Sequence, residues 1–429
     1  MARRIVITGL GAVTPLGLNL ETTWENLMKS KSGIDYISIF DASSFPVKIA
    51  AEVKGFEDAA LDIPEELEPF AGRSTKFALS ACKEAIQHAG LNLDTLDPTM
   101  FGISLGGNEE TSKLSDFSNA YRDDNLLSSL QNRDLSYFSD SKDLAKIWAV
   151  RRCAHTTANI LSILYNIQGP VSTSSTACAS SAQAIGKAMR MIEYGDADIM
   201  ITGGSDSIIT EFSVAGFGLL GALSKNNDHP ESASKPFDLK RDGFILGEGA
   251  GILIMEELEH AQARGANIIA EITGFGSSSN AYRITDSPPD GRGADQSMRS
   301  ALEDAGISPE DINYINAHGT STLVNDRSET QAIKKVFGDS AYGTPISSNK
   351  SMLGHLIASA GTIELIVSTM TIQKNLIPPT INYETPDPDC DLDYVPNEPR
   401  SYNVDAVLSN SFAFGGQNAS LVVERYYDA

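Results

Sequence analysis

The chain has 429 residues, of which 41% are hydrophobic and 21% are charged. This length and composition predict a globular protein large enough for two core-bearing halves. The net charge of -23 argues against nucleic acid or an anionic membrane as the main partner. No apolar run approaches about 20 residues and no signal-peptide pattern occurs, so we expect a cytoplasmic protein. The four cysteines lack CxxC spacing, which predicts neither a zinc site nor a disulfide framework.

The chain opens with a strand-like run at residues 4–8, and Gly9 and Gly11 predict a glycine-rich turn after it. A dinucleotide-binding turn is the alternative, but the third glycine and the downstream acidic residue of that fingerprint are missing. Residues 108–150 then form a long polar segment with weak patterning. A segment of that length inside a compact domain is usually functional or mobile.

The central feature is Cys178, at the point where an extended run at residues 169–173 gives way to a helical pattern through Ile185, Met189 and Ile192. This predicts a thiol on a sharp strand-to-helix turn. The amides at a helix N-terminus and a nearby histidine lower the pKa of such a thiol and favour the nucleophilic thiolate. The alternative is a cysteine that only packs in the core.

The second half of the chain repeats features of the first. Residues 268–276 echo the opening strand with its glycines, and residues 347–355 lead into a small, apolar helix much as the Cys178 turn does. The echo predicts a duplicated α/β unit, with halves at residues 1–258 and 259–429 that face one another across a shared site. A chance similarity of short motifs is the alternative.

Two of the six histidines lie beside glycines in this second half: His318 after a predicted strand, and His355 at the start of a predicted helix. Together with a reactive thiol, two imidazoles favour acyl-thioester chemistry, although each alone also fits an ordinary structural histidine. Lys350, with Glu329 and Glu364, is either an organising charge or a structural ion pair.

A last glycine-rich turn covers residues 410–418 between two predicted strands. Paired glycines expose backbone amides, which suits an oxyanion hole for the tetrahedral intermediate of acyl transfer. Taken without the other motifs, an ordinary β-turn explains this stretch equally well.

Four motifs in this order resemble those of the β-ketoacyl-acyl carrier protein synthase family: TACASS around Cys178, NAHGTST around His318, SNKSMLGH up to His355, and NSFAFGGQN around Phe414. The similarity is greatest to the synthase II type and to the ketosynthase subunits of type II polyketide systems. It covers nearly the whole chain. The resemblance implies the α/β thiolase fold, a duplicated five-layer αβαβα arrangement, in a dimer that needs no metal or organic cofactor.

The resemblance also implies the reaction, a decarboxylative Claisen condensation of an acyl thioester with malonyl-acyl carrier protein. It makes Cys178 the nucleophile that carries the acyl chain. It makes His318 and His355 the pair that binds the malonyl thioester carbonyl and stabilises the enolate. Fatty-acid elongation and polyketide or polyene elongation both remain open.

Supporting roles follow from the same resemblance. Lys350 organises the site electrostatically, with Glu329 as its acidic contact and Glu364 in support. The backbone N–H groups of Cys178 and Phe414 form the oxyanion hole, and Phe414, with Phe412, forms the gate beside the nucleophile.

Three positions depart from the family pattern. Ala413 stands where many members have glycine, Gly221 where an arginine is expected, and an acidic stretch at residues 64–69 where the synthase II type is basic. Because the expected basic patch is missing, we predict that the acyl carrier protein docks either on a basic cluster at the end of the long polar segment or on a partner subunit across the dimer. The members of the cluster are Lys142, Lys146, Arg151 and Arg152. A solvated basic face with no partner is the alternative.

The second subunit of the dimer is either an identical chain or a chain-length-factor-like partner.

Two other functions are alternatives to the condensation. A non-catalytic chain-length-factor-like subunit lacks the nucleophilic cysteine, so Cys178 argues against it. A thiolase acting on coenzyme A esters has a second active cysteine near its C-terminus, and no such residue is found here.

Overall fold

A computed structural model describes residues 3–56, 61–108 and 149–428. Nearly all of the predicted polar segment at residues 108–150, including Lys142 and Lys146, lies outside the described residues. The described part is mixed α/β and is built on one large sheet. None of its helices combines the length and the apolar character needed to span a membrane.

The strands, in chain order, are β1 (Ile5–Val13), β2 (Asp35–Tyr36), β3 (Ile49–Ala50), β4 (Phe101–Gly106), β5 (Val171–Ser174), β6 (Ile199–Asp206), β7 (Gly249–Glu257), β8 (Ala270–Ser279), β9 (Tyr314–Asn316), β10 (Ile346–Ser347), β11 (Leu376–Ile377), β12 (Arg400–Ser401), β13 (Ala406–Phe412) and β14 (Gln417–Glu424). The helices are α1 (Leu20–Met28), α2 (Arg73–His88), α3 (Thr156–Leu164), α4 (Ser180–Glu193), α5 (Glu211–Leu219), α6 (Leu258–Ala263), α7 (Ala294–Ala305), α8 (Leu323–Phe337), α9 (Lys350–Leu353) and α10 (Ala360–Lys374).

The strand order of the large sheet is β10-β9-β13-β14-β8-β1-β7-β6-β4-β5. From each edge towards the middle, two parallel pairings are followed by two antiparallel ones. The two five-stranded parts therefore have the same topology, which is what a duplicated unit predicts. They join where β1 pairs with β8, through Val6 with Glu271 and Ile7 with Ala270. The division at residue 258 stays a prediction.

The predicted turn at Gly9 and Gly11 is wrong, because both glycines lie inside β1. A β-carbon at either position would fall 2.2 or 1.9 Å from a carbonyl oxygen of α2. Gly274 and Gly276 of β8 approach carbonyl oxygens of α7 in the same way, at 2.2 and 2.0 Å. The glycines thus let an outer helix pack directly on the strand backbone, and this explains why the pattern recurs in both halves.

Helices α4 and α10 form the middle of the molecule and contact each other and strands of both five-stranded parts. Every residue of α10 from Ala360 to Ile372 is buried. Its small and apolar side chains surround the helix on all sides, and such a helix is stable only when it is enclosed. With α2 and α3 outside one part of the sheet and α7 and α8 outside the other, the chain forms five layers.

Candidate active site

Cys178 lies in a short 3-10 turn, Ala177–Ala179, between β5 and α4. Ala177 has a φ of +48°, in the left-handed region, and this bends the chain sharply from strand to helix. The predicted strand-to-helix turn is therefore present. The sulfur lies at the start of the central helix, and the residue is only 6% exposed.

A matching turn, Ile357–Ser359, precedes α10 in the second half, and Ile357 has a φ of +46°. The two 3-10 turns contact each other, so the predicted facing of two turns across one site is found. Ala358 occupies the place in the second turn that Cys178 occupies in the first.

His355 lies just before the second turn, and the Nε2 of His355 is 3.0 Å from the Cys178 Sγ. The backbone N–H of Ile357 donates to the Nδ1 of His355 at 3.3 Å. Because Nδ1 accepts a hydrogen bond, the ring proton of the neutral imidazole is on Nε2 and is aimed at the sulfur.

His318 follows β9, and its ring centroid is 5.4 Å from that of His355. Its Nδ1 lies 3.4 Å from the Lys350 Nζ, an ammonium donor, which leaves Nε2 as the N–H in this ring as well. Burial and the charge of Lys350 lower the pKa of both histidines well below 6.5. At neutral pH the site therefore offers two uncharged N–H donors.

Of the two acidic residues predicted beside Lys350, Glu364 forms a buried ion pair with it, whereas Glu329 is affected by its charge. Glu329 instead accepts the backbone N–H groups of His318 and Gly319, each at 2.8 Å, and so fixes the loop that carries His318. Burial raises the pKa of each carboxyl to about 7, and the charge of Lys350 opposes that rise. Glu364 lies on α10 and contacts the lysine, whereas Glu329 lies on α8 and contacts the loop.

The predicted lowering of the Cys178 pKa is also wrong in its net direction. Burial raises the pKa of this thiol to about 11, although the charge of Lys350 acts against the rise. The backbone N–H groups of Phe414 and Cys178 itself hydrogen-bond the sulfur and act in the same sense as the lysine. The enclosure of the sulfur outweighs these stabilising groups. The two amides predicted to form an oxyanion hole do, however, converge beside it.

Two phenylalanines lie at different depths where β13 ends. Phe412 packs edge-on against His318, with ring centroids 5.8 Å apart. Phe414 is half-buried and stacks on Phe217 of α5, at 6.4 Å. Phe244 completes this wall, because its ring contacts those of Phe217, Phe414 and His355.

Phe217 and Phe244 were not predicted as site residues. A signal exists for Phe217, since it has a small residue on each side, Gly216 and Gly218, just as Phe414 follows Ala413 and precedes Gly415. A lone aromatic ring between small residues indicates a side chain that contacts something outside its own element. Phe244 is preceded by Gly243 but has no comparable pattern.

The departures from the family pattern lie on the surface or in the gate turn. Gly221 is exposed, with a φ of +68° and open space around it. Glu65, Glu66 and Glu68 of the acidic stretch are exposed as well. Of the predicted docking residues, Arg151 and Arg152 are half-buried, and the other two lie outside the described residues, so the docking surface stays a prediction.

Cys178, His318 and His355 also form a group whose donor atoms all lie within 4.8 Å of one another, the spacing that a metal ion requires. In the part of the chain that the structure describes, no other such group of cysteine, histidine and carboxylate side chains occurs. The ammonium of Lys350, 3.4 Å from the Nδ1 of His318, opposes the binding of a divalent cation. The three side chains fit thiol chemistry better than metal binding.

Comparisons with known proteins agree with this geometry. Two family models match the chain: "Beta-ketoacyl synthase, N-terminal domain" over residues 2–261, and "Beta-ketoacyl synthase, C-terminal domain" over residues 269–384. The chain is 42% identical to a 3-oxoacyl-[acyl-carrier-protein] synthase 2 of Coxiella burnetii over 429 residues, 99% of each chain. The chain belongs to the beta-ketoacyl synthase family.

Solved structures of beta-ketoacyl synthases and ketosynthases have the same fold over the whole chain. A type II PKS ketosynthase in complex with its acyl-carrier protein is 36% identical, with a TM-score of 0.84 and full coverage of both chains. The ishigamide ketosynthase/chain length factor is 34% identical, with a TM-score of 0.87 and full coverage of both chains. The predicted thiolase fold is confirmed.

Replacing Lys350 by Met is expected to raise the pKa of Cys178 further, by about one unit or more, because a positive charge near the thiolate is lost. The measurement is the pH dependence of alkylation of Cys178 by iodoacetamide, followed by mass spectrometry. Lys335→Met, at an exposed position on α8, is the matched control and should leave the profile unchanged. An unchanged profile in Lys350→Met would mean that the lysine charge does not act on the sulfur.

Proposed function

We propose that this protein is a β-ketoacyl-acyl carrier protein synthase, which condenses an acyl group held on Cys178 with malonyl-acyl carrier protein and releases carbon dioxide. The observation that carries the proposal is the buried group in which neutral His355 directs its Nε2–H at the Cys178 sulfur, 3.0 Å away, with two backbone amides beside it. The chain's membership in the family supports the same reaction.

In the first half-reaction, the sulfur of Cys178 attacks the thioester carbonyl of the acyl carrier. A new sulfur–acyl bond forms, the bond to the carrier's sulfur breaks, and the proton of the cysteine thiol leaves on the carrier thiol. The tetrahedral intermediate carries its negative charge on the former carbonyl oxygen. The N–H groups of Cys178 and Phe414 are placed to stabilise that oxygen, because both already point at the region beside the sulfur.

In the second half-reaction, the malonyl thioester carbonyl accepts hydrogen bonds from the Nε2–H groups of His318 and His355. The bond to its carboxylate breaks, carbon dioxide leaves, and the electron pair becomes an enolate. Both imidazoles are neutral, so they stabilise the enolate without transferring a proton that would end the reaction. The enolate carbon then attacks the acyl carbonyl, and the Cys178 sulfur leaves and takes up one proton.

The aromatic wall of Phe217, Phe244 and Phe414 keeps this site dry. Burial of the enolate away from water strengthens its hydrogen bonds to the histidines and prevents its early protonation. We assign the gate to Phe414, because its half-buried ring covers the outer side of the site, and an inner supporting position to Phe412 beside His318.

The proposal also covers the binding partners, the two halves of the chain and the cellular location. Solved relatives are a ketosynthase with its acyl-carrier protein and a ketosynthase with a chain length factor, so the proposed partners are a carrier protein and a second identical or related subunit. The predicted halves, residues 1–258 and 259–429, and a cytoplasmic location belong to the proposal as well. The basic cluster of Lys142, Lys146, Arg151 and Arg152 is the proposed carrier dock.

The deciding experiment incubates the purified protein with acyl-carrier protein loaded with acyl chains and malonyl-carrier protein. A β-ketoacyl-carrier protein and one equivalent of carbon dioxide are expected. A thiolase would instead act on coenzyme A esters without loss of carbon dioxide, and a non-catalytic subunit would form no acyl-enzyme at Cys178. A product only from coenzyme A esters, or no acyl-enzyme, would contradict the proposal. The length of the product chain separates fatty-acid from polyketide elongation.

A further inference from the structure

The backbone N–H of the middle residue has different partners in the two facing turns. In the first turn, the N–H of Cys178 points at its own sulfur and is joined there by the N–H of Phe414, which follows β13. In the second turn, the N–H of Ala358 donates to the Oδ2 of Asp206, the last residue of β6, at 3.1 Å. The strands β6 and β13 hold the same place in their five-stranded parts. The N–H of Ala358 is therefore bound by a carboxylate of the chain, whereas the equivalent N–H of Cys178 points at the Cys178 sulfur.

Asp206 is buried and is held by hydrogen bonds from residues other than Ala358. It is 3% exposed, its Oδ2 also accepts the side-chain N–H of Asn108 at 2.8 Å, and its Oδ1 accepts the N–H of Ser207 at 2.9 Å. Burial raises the pKa of Asp206 to about 6, and Glu248 acts in the same direction, whereas the three hydrogen bonds oppose the rise. At pH 7 the group is therefore mainly ionised, and it loses its charge as the pH falls through about 6.

We propose that Asp206 is a positioning residue for His355. Its carboxylate holds the N–H of Ala358, and this fixes the adjacent residue Ile357, whose N–H donates to the Nδ1 of His355. Through that contact Asp206 keeps the proton of the imidazole on Nε2, aimed at the Cys178 sulfur and at the malonyl carbonyl. The inference rests on the role proposed above for His355.

The geometry explains why a carboxylate is needed at this position. Ile357 has a φ of +46°, a conformation that is unfavourable for a β-branched residue, so the turn requires support from outside. A hydrogen bond from an amide to an ionised carboxylate is about twice as strong as one between neutral groups. The turn also precedes the N-terminus of α10, where a negative charge is favourable.

The test is a double-mutant cycle between Asp206→Ala and His355→Ala, with malonyl-carrier decarboxylation as the readout. We expect Asp206→Ala alone to reduce decarboxylation about tenfold, the order expected when a hydrogen bond to a charged group is lost. In the His355→Ala background it should have no further effect, because its effect passes through that histidine. Asp206→Asn should restore part of the activity, since its amide oxygen still accepts the N–H of Ala358.

The matched control is Asp311→Ala, which removes an exposed carboxylate that accepts the backbone N–H of Ser308 away from the site and should leave decarboxylation unchanged. Equal losses in both backgrounds, or full activity in folded Asp206→Ala, would overturn the inference. If Asp206→Ala does not fold, the same cycle with Asp206→Asn decides by the same criterion. Failure of the proposed function is a separate result, because the unaltered protein would then release no carbon dioxide from malonyl-carrier protein.

Discussion

Replacing Cys178 by Ala is expected to abolish the acyl-enzyme and to reduce condensation by at least about 10⁴-fold, the order known for removal of a covalent nucleophile. The physical reason is that no other group in the described site offers a nucleophile at this position. The acyl-enzyme is measured by intact-protein mass spectrometry after incubation with acyl-carrier protein. Condensation is measured as β-ketoacyl-carrier protein formed, because release of carbon dioxide alone depends on the two histidines and not on the cysteine.

The other cysteines provide the controls. Cys82 and Cys390 are buried, and burial raises the pKa of the Cys390 thiol to about 12, so neither should react. Cys153 is only half-buried and is the competing site for alkylation, so labelling of Cys178 is best followed in a Cys153→Ser background. Cys153→Ser alone should retain full condensation activity. An acyl-enzyme that persists in Cys178→Ala would remove this cysteine from the proposed mechanism.

Replacing either active-site histidine by Ala is expected to reduce malonyl decarboxylation by about 10²-fold or more, since each removes a neutral N–H donor to the enolate. Their effects on acyl loading should differ. His355 contacts the Cys178 sulfur, whereas His318 is held against Lys350, so loading should fall more in His355→Ala than in His318→Ala. Single-turnover loading and decarboxylation are measured separately for each variant.

His229→Ala is the matched control, because this histidine is exposed and lies away from the site. It should leave both half-reactions unchanged. Wild-type decarboxylation in His318→Ala or in His355→Ala would exclude that residue from enolate stabilisation. Equal loading in the two variants would mean that the 3.0 Å contact of His355 with the sulfur does not assist acylation.

Much of this site was predictable from the sequence, for a physical reason. Cys178, His355 and the turn at residues 413–416 lie at the ends of strands or helices, and small residues and glycines mark such positions locally. The repeat of the opening strand in the second half also predicted the matching topology of the sheet. Features that depend on neighbours along the chain were therefore found.

Features that depend on residues distant in the sequence could not be predicted in this way. The net rise in the Cys178 pKa comes from enclosure by other elements, which no local motif records. Glu329 and Glu364 were both predicted beside Lys350, but which of them forms the ion pair depends on how α8 and α10 are placed in the fold. Gly9 and Gly11 suggested a turn, but they serve close packing of α2 on β1. In each case, the deciding atoms are distant in sequence.

The position of α10 has a consequence for how the protein is made. This helix begins at Ala360, yet it packs on β6 and β7, which are completed by residue 257. When the first 258 residues have left the ribosome, the inner face of their part of the sheet lacks that cover and exposes apolar strands. Folding to completion must wait until α10 has been made, about a hundred residues later. The nascent N-terminal half should therefore be the stage at which this protein depends most on chaperones.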